Sequence, residues 1–372
     1  MHQEEQPVVR REDGKHARLV TQFVQALQEA TGADVTPQAD SASSVSELND
    51  RLLSMATPDG ETWQLVLELL REGYPRDVRR VVWKLNDYLD YRHDSATPPD
   101  LIPVVVADHL SSGAREDLRQ QGIGYFDSSG TLFLRHRKWL INIDRPSKPG
   151  ATRHTPDLFK GAREKVIHAL LHAEQHWRTG LQLADESETS AYTVSTVLHE
   201  LDRLEWVESQ GSGRTLRRRL TKPGLLLDAW ANAWRDRKES KSRWHFYSAN
   251  PNAILAGLTA KFESAELRDW AFTGTAAANT VSPLLTRTET AEVIVPPDSA
   301  EQYAEAIGLK RAEKGSNVTL VERSGASMLF RRLHSDNPSW IASPFVLYLD
   351  LLDERGRNAE LAAQLRHDIL KI

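Results

Sequence analysis

The sequence contains no cysteine among its 372 residues. Disulfide bonds, thiol nucleophiles and cysteine-ligated zinc sites are therefore excluded as a basis for its fold or its chemistry. No run of apolar residues approaches the roughly 18 that a membrane-spanning helix needs, and the opening residues lack the apolar core of a secretory signal. We therefore expect a cytoplasmic protein that engages no membrane.

The sequence also has no excess of positive charge: it contains 47 Lys and Arg against 52 Asp and Glu, which gives a net charge of -5. A uniformly basic nucleic-acid-binding chain is excluded, so any affinity for DNA has to come from a local concentration of Lys and Arg. The sequence has no P-loop, GxGxxG, GxSxG or HExxH motif and no internal repeat. We therefore predict no catalytic residue, no metal site and no cofactor.

The most informative pattern spans residues 159–221. Apolar residues at helical spacing mark a first helix at 166–171 and a third at 194–204, with a short second helix between them. The hydroxyls of Thr189 and Ser190 suit the start of the third helix. Two short strands follow, joined by a turn-forming segment at 210–213. Three helices followed by a hairpin are typical of a winged helix-turn-helix.

This interpretation assigns candidate DNA contacts on two elements. The N-terminal half of the third helix enters the major groove in such proteins, and its hydroxyls and threonine methyls suit A·T pairs. The candidate base contacts are Ser190, Tyr192, Thr193, Thr196 and His199. The hairpin carries a run of cations with no acid between them in sequence, as expected of a contact with phosphates. The candidate phosphate contacts are Arg214, Arg217, Arg218, Arg219 and Lys222.

Two alternatives stay open for this module. Some winged helices pack against protein instead of DNA. In addition, the side chain of Tyr192 is as well suited to covering the core of the module as to contacting a base, because tyrosine is so often half-buried.

Strand and helix patterns alternate through residues 1–150, which predicts a βαβ sheet domain. The predicted helices lie at 17–31, near 48–55, from Pro75 onward and at 111–121, and the predicted strands lie at 62–70, 101–107, 123–126, 131–134 and 140–143. A proline-rich linker at 145–154 leads into a second domain, 151–243. That domain ends with a predicted helix from 225 to about 243, whose basic side chains favour a solvated connector over an extension of the phosphate-contacting surface.

A third domain is expected at 244–372, of α+β class. Its predicted elements are a helix at 253–262, strands at 292–295 and 318–322, and a pair of helices that begins at Pro344. A nucleotidyltransferase-like fold is an open alternative for this domain. The paired carboxylates needed to hold two magnesium ions are not seen, so no transferase activity is assigned.

The strand-turn-helix pattern around Glu68 resembles the core of the PD-(D/E)XK nuclease fold. That family places Glu-x-Lys on a strand and an Asp on the strand before it, so that carboxylates hold a metal ion. Here Leu70 occupies the lysine position, and Asp34, Asp40, Asp50 and Asp59 all fall in polar segments. We therefore expect a nuclease-like fold without the chemistry, with Glu68 forming a structural hydrogen bond at a strand end.

Three histidines lie at helical i, i+4, i+8 spacing: His168, His172 and His176. That spacing is able to align imidazoles as metal ligands. No paired carboxylate accompanies them, so we predict an ordinary polar helix face.

The C-terminal sequence carries a family resemblance. The runs SPFVLYLDLL (343–352), GRNAELAAQLR (356–366) and FTGTAA (272–277) are similar to segments of the AbiEi-like antitoxins and transcriptional regulators of type IV toxin-antitoxin systems. Residues 103–127 also resemble the nuclease-like domain that is joined to winged helices in related regulators. Tyr348 and Asp350 are expected to be partly exposed.

The sequence thus predicts a multidomain protein of α/β and α+β class, with a nuclease-like sheet domain, a central winged helix and a C-terminal α+β domain. The function it favours is an antitoxin-like, sequence-specific DNA-binding transcriptional regulator that is not an enzyme. The predicted partner is double-stranded DNA, with a cognate toxin protein and a homodimer as open alternatives. Two other functions remain open: a metal-dependent nuclease targeted by the winged helix, and an assembly factor whose winged helix binds protein.

Overall fold

The structure is a computed structural model that describes residues 9–37, 52–93, 100–145, 158–248, 250, 253–334, 339–352 and 357–372. The chain forms two compact units, one of Met1–Thr155 with Asp202–Glu205 and one of Pro156–Leu201 with Trp206–Ile372. The three-domain division expected from the sequence stays a prediction. Within the described ranges, no helix is both long and apolar enough to cross a bilayer.

The first unit is built on a mixed sheet. Its elements are α1 (Val9–Thr31), β1 (Asp34–Pro37), β2 (Leu52–Ala56), β3 (Thr62–Gly73), α2 (Pro75–His93), β4 (Leu101–Leu110), α3 (Ser112–Gln120), β5 (Gly124–Asp127), β6 (Leu132–His136) and β7 (Trp139–Ile143). The seven strands described here lie in sequence order from β1 to β7. β3, β4 and β5 are parallel, and the remaining neighbours are antiparallel.

Helices cover both faces of this sheet. On one face Leu19, Phe23 and Leu27 of α1 pack into an apolar cluster with the strands. On the other face α2 contributes Val78, Val82 and Leu85, and α3 contributes Ala114 and Leu118. A strand that is buried on both faces becomes a continuous apolar run, which is why β3 and β4 were recognisable from sequence. The predicted βαβ arrangement is present.

The helix expected near residues 48–55 is wrong for the part that the structure describes. Leu52, Leu53 and Met55 lie on β2, and Leu48 lies outside the described residues. Leu52 joins the cluster under α2, whereas Leu53 and Met55 join the cluster under α1. Because both faces of β2 are buried, its apolar residues do not alternate, and their spacing mimics that of a helix.

The second unit begins with three helices and a small antiparallel sheet. Its elements are α4 (Gly161–His172), β8 (Arg178–Thr179), α5 (Gly180–Glu186), α6 (Ala191–Arg203), β9 (Val207–Gln210) and β10 (Arg217–Leu220). The strand order is β8-β10-β9. The sequence predicted the helices and the hairpin but missed β8, which is only two residues long. Its second residue, Thr179, forms a capping box with Gln182 at the start of α5.

The rest of the second unit surrounds a second mixed sheet. Its elements are α7 (Pro223–Arg235), β11 (Ser240–His245), α8 (Ile254–Ser264), β12 (Ala271–Thr273), α9 (Gly274–Val281), β13 (Ala291–Val295), α10 (Ala300–Ala306), β14 (Lys310–Arg311), β15 (Val318–Glu322), β16 (Arg332–Leu333), β17 (Trp340–Ile341), α11 (Pro344–Asp350) and α12 (Asn358–Gln364), which ends in a π-helical turn (Leu365–Leu370). The described strands are ordered β14-β11-β15-β13-β12-β17-β16.

The single helix expected from 225 to about 243 is wrong beyond Arg235. Residues 240–245 form β11, which pairs with β15 and places Trp244 in the core. Lys241 and Arg243 therefore belong to a strand, and both lie exposed on it. The helix ends where the buried stripe that includes Trp230 and Trp234 stops repeating.

Candidate nucleic-acid interface

Helix α6 has one buried face and one polar face. Val194, Val197, Leu198 and Leu201 are buried, so the helix is anchored by its aliphatic stripe. The start of the helix is fixed by Ser190, whose Oγ accepts a hydrogen bond from the backbone N–H of Thr193 at 3.2 Å. This cap confirms the predicted start of the helix and satisfies one of the backbone N–H groups that a helix N-terminus leaves without a partner.

The candidate base contacts all lie on the open side of α6. Ser190, Tyr192 and His199 are exposed, and Thr193 and Thr196 are half-buried. Tyr192 is 82% exposed, so the alternative that it covers the core of the module is wrong. Thr196 Oγ1 donates to the carbonyl oxygen of Tyr192 at 3.0 Å, so its hydroxyl proton is already engaged within the helix.

The hairpin divides the candidate phosphate contacts between its two faces. Side chains alternate along a strand, so Arg217 and Arg219 share one face of β10 and Arg218 lies on the other. Arg217 is exposed, whereas Arg218 and Arg219 are half-buried. Lys222, just after β10, is exposed, and the side chain of Arg214 lies outside the described residues.

The run of cations is partly neutralised by an acid that sequence reasoning missed. Glu208 lies opposite Arg219 in the β9–β10 register, and its Oε2 is 2.7 Å from Arg219 Nη2. Arg219 also lies over the ring of Trp177, 4.8 Å from its centroid. The hairpin turn places this acid against the cation, although the two are 11 residues apart. A solvent-exposed pair of this kind contributes only about 0–1 kcal/mol, so a phosphate group is able to compete for the arginine.

A further cation belongs to this surface. Arg178 on β8 pairs in register with Arg218 on β10, and its Nε donates to Glu186 at 2.8 Å. The sequence predicted no strand between the first and second helices, and Arg178 was therefore not among the candidate contacts. The three-stranded sheet thus brings Arg178 alongside the predicted arginines.

The histidine series does not form the polar helix face that we expected. His168 is fully buried; its Nδ1–H donates to the carbonyl oxygen of Ala326 at 2.9 Å, and its Nε2 accepts from Ser343 Oγ at 2.7 Å. Burial lowers the pKa of His168 to about 3. His172 stacks on Phe330 at 4.1 Å, and His176 lies beyond the end of α4. Among the described residues, no three His, Asp or Glu side chains are placed to hold a metal ion.

Glu68 also lies elsewhere than predicted. It is buried in the middle of β3, not at a strand end, and its Oε1 is 3.1 Å from Lys84 Nζ on α2. Asp34 on β1 pairs with Ala56 on β2, which in turn pairs with Thr62 on β3. Thr62 lies six residues before Glu68 on the same strand. At about 3.3 Å per residue the two carboxylates are roughly 20 Å apart. They do not form the metal-binding pair of the nuclease motif.

The three C-terminal motif segments converge in space. Thr273 Oγ1 donates to Asp350 Oδ2, Thr275 Oγ1 donates to Asn358 Oδ1 at 2.8 Å, and Arg366 Nη1 donates to Tyr348 Oη at 3.0 Å. Tyr348 is buried, so the expectation that it is partly exposed is wrong. Asp350 is half-buried as a residue, although its side chain is only 4% exposed.

The backbone conformation explains why the FTGTAA segment has a glycine at position 274. Gly274 has φ +68°, which a residue with a side chain rarely adopts. A Cβ atom there would also lie 2.8 Å from the carboxylate of Glu292.

Residues 219–371 match the family model described as "Transcriptional regulator, AbiEi antitoxin, Type IV TA system". The AbiEi-like resemblance predicted from the C-terminal sequence is confirmed. The AbiEi-like region runs from β10 to the end of the π-helical turn and so contains all three convergent motif segments. No curated protein matches the chain significantly.

One solved structure with a significant match is a repair endonuclease from Pyrococcus abyssi, at 17% identity and a TM-score of 0.22. The match covers 34% of this chain and 48% of the endonuclease chain, about half of its length.

Proposed function

We propose that this protein is a DNA-binding transcriptional regulator in which residues 158–222 act as a winged helix-turn-helix. In this proposal α6 lies in the major groove and the β9–β10 hairpin contacts phosphates. One observation carries it: α6 buries its aliphatic stripe and leaves Ser190, Tyr192 and His199 in solvent. Neither the packing of the module nor its caps explains why a tyrosine is left 82% exposed there.

The description of the matched family supports a regulatory role. The matched segment, residues 219–371, begins within the hairpin strand β10, and its family is described as one of transcriptional regulators and antitoxins. We propose that the DNA-binding module and the AbiEi-like region act together, with the latter binding a cognate toxin protein. The nucleotidyltransferase-like fold considered for residues 244–372 stays a prediction.

Selection of binding sites from a random duplex pool tests the DNA-binding proposal. We expect enrichment of one sequence, bound 10³-fold or so more tightly than random duplex at physiological salt. Log K should fall linearly with log salt on both duplexes. Absence of enrichment, together with no binding to any duplex at about 50 mM salt, would favour the assembly-factor alternative.

We further propose that the first unit is a nuclease-like domain without nuclease chemistry. The separation of Asp34 from Glu68 and the engagement of Glu68 by Lys84 support this. Supercoiled plasmid incubated with the protein and Mg²⁺ or Mn²⁺ should stay intact. Cleavage that disappears in Glu68→Gln, but persists in the exposed α3 control Glu116→Gln, would show that the nuclease alternative is right.

A further inference from the structure

A second candidate site lies in the AbiEi-like region, in a cavity of about 390 Å³ beside β11. That volume lies within the roughly 300–1,000 Å³ range of small-molecule sites. Its walls come from the end of α7, the strands β11, β13 and β15, and helix α11. None of the candidate DNA contacts lines this cavity, so the proposed DNA binding does not account for its charged lining.

The floor of the cavity is a polar row that crosses three neighbouring strands. Arg243 on β11 pairs in register with Thr319 on β15, and Thr319 pairs with Glu292 on β13. Residues paired in this way project from the same face of a sheet. Lys241, two residues before Arg243, projects from that face as well. The row thus presents cations at one end and a carboxylate at the other.

A buried ion cluster holds the wall of the cavity in place. The guanidinium of Arg323 is only 3% exposed and lies 2.7 Å from Asp350 Oδ2 and 2.6 Å from Glu239 Oε1. Trp234 donates its indole N–H to Asp350 Oδ1 at 3.1 Å. Side chains locked by such contacts form a site before any ligand arrives, which lowers the entropic cost of binding.

Positive charge is in excess at the cavity. Five cations line it, namely Arg235, Arg237, Lys241, Arg243 and Arg323, against the three acids Glu239, Glu292 and Asp350. Arg237 is paired with Glu164, and Lys241 is paired with Glu239. Arg235 and Arg243 form no ion pair with any residue in the described ranges. These two guanidiniums are therefore available to an anion.

We propose that this cavity binds a small phosphorylated ligand of the nucleotide class. Guanidinium groups match phosphate oxygens in charge and geometry, which assigns the phosphate to Arg235 and Arg243. Glu292, at the other end of the row, accepts hydrogen bonds from hydroxyl or amino groups of the same molecule. A ligand that carries both a phosphate and such donors fits the row better than phosphate alone.

Isothermal titration calorimetry on the full chain tests this with defined probes: inorganic phosphate, pyrophosphate, AMP, ATP and adenosine. We expect AMP or ATP to bind more tightly than pyrophosphate and adenosine to bind very weakly. Arg243→Gln and Arg235→Gln should each weaken nucleotide binding by about tenfold or more. The matched control Arg268→Gln, an exposed arginine just before β12, should bind as the parent does.

The role of Glu292 gives the test a second readout. Glu292→Gln removes a negative charge and should strengthen pyrophosphate binding while it reduces the preference for AMP over pyrophosphate. Thermal melting of each variant establishes that it is folded.

Two results would overturn the proposal. The first is that no phosphorylated probe binds the folded parent at millimolar concentration. The second is that Arg243→Gln and Arg235→Gln bind nucleotide as well as the parent. If these variants then also lose affinity for DNA with a flatter salt dependence, the two arginines are DNA contacts. This test does not depend on the winged-helix proposal, because adenosine phosphates are titrated without DNA.

Discussion

His168 and Ser343 lie side by side in the interior of the second unit, with His168 Nε2 2.7 Å from Ser343 Oγ. The serine hydroxyl is also the N-cap of α11, where it accepts from the backbone N–H of Val346. The histidine on α4 therefore holds the start of the SPFVLYLDLL segment in place. Nδ1 donates to Ala326, and because burial keeps the ring neutral, Nε2 accepts from the serine hydroxyl.

The neutral state of His168 predicts a pH dependence of stability. Its pKa is about 3 in the folded protein, because of burial, against 6.5 for the ordinary side chain. The unfolded chain binds the extra proton first, so stability is complete above about pH 6.5 and falls as the pH is lowered toward 3. Each pH unit in this window costs up to about 1.4 kcal/mol for this one group.

Urea denaturation at pH 8, 7, 6 and 5 checks this prediction. His168→Gln should be less stable than the parent at pH 8 and should lose less on acidification. His245→Gln, which alters an exposed histidine of β11, should follow the parent at every pH. A His168→Gln profile parallel to that of the parent would mean that the ring does not titrate as stated.

Asp350 predicts a large stability effect. Its carboxylate and the guanidinium of Arg323 are 4% and 3% exposed, so loss of one charge leaves the other buried without its partner. Asp350→Asn should destabilise the protein by about 3–5 kcal/mol. The side chain of Asp269 is 73% exposed and forms an ion pair with Arg331. Asp269→Asn breaks this pair and should lower the free energy of unfolding by less than about 1 kcal/mol. Chemical denaturation that gives similar losses for the two variants would contradict this.

The α/β part of the fold was predictable because its signals are local. Helix α2 begins with a proline, and the strands β3 and β4 are continuous apolar runs. Helices and strands also each repeat their apolar residues with a characteristic period. β11 was mistaken for the end of a helix because its identity depends on pairing with β15, almost 80 residues later. The strands β12 and β17 are joined by a single residue pair, Phe272 with Ile341. No local sequence pattern predicts this pairing.

The same distinction applies to the candidate sites. The polar face of α6 follows from helical spacing, so its exposed residues were recognised before the fold was known. The pairing of Glu208 with Arg219 depends on the hairpin register, and the burial of His168 depends on residues about 160–175 positions away. The row formed by Arg243, Thr319 and Glu292 likewise exists only once three distant strands pair.

The hairpin predicts opposite effects for two neighbouring charges. Arg217→Ala should weaken binding to all duplexes and flatten the slope of log K against log salt by about 0.9, since the proposed function assigns one phosphate contact to Arg217. Glu208→Gln frees Arg219 from its ion pair and should strengthen binding to all duplexes. Arg218→Ala should have a smaller effect than Arg217→Ala, because Arg218 is half-buried on the other face.

Fluorescence anisotropy over a series of salt concentrations measures these effects. Glu305→Gln, which removes an exposed acid from α10, is the control for net charge and should leave the affinity nearly unchanged. If Arg217→Ala keeps the slope of the parent, the hairpin is not the phosphate contact.

Substitution of Tyr192 is expected to affect DNA binding without affecting the stability of the fold. Because the side chain is 82% exposed, Tyr192→Ala should change the free energy of unfolding by no more than about 0.5 kcal/mol. Affinity for the selected duplex should nevertheless fall by about fivefold or more, since the proposed function places this exposed ring against the bases. A variant that is markedly less stable would show that the ring packs within the protein.

The most direct test of the central claim, that α6 reads base edges, is the discrimination between selected and random duplex. Thr193→Ala and Thr196→Ala remove a methyl group and a hydroxyl from the polar face of α6 without touching its buried stripe. Each should reduce discrimination by about 1 kcal/mol or more and leave affinity for random duplex nearly unchanged. Equal losses on both duplexes would contradict the claim and place α6 against the DNA backbone or another protein.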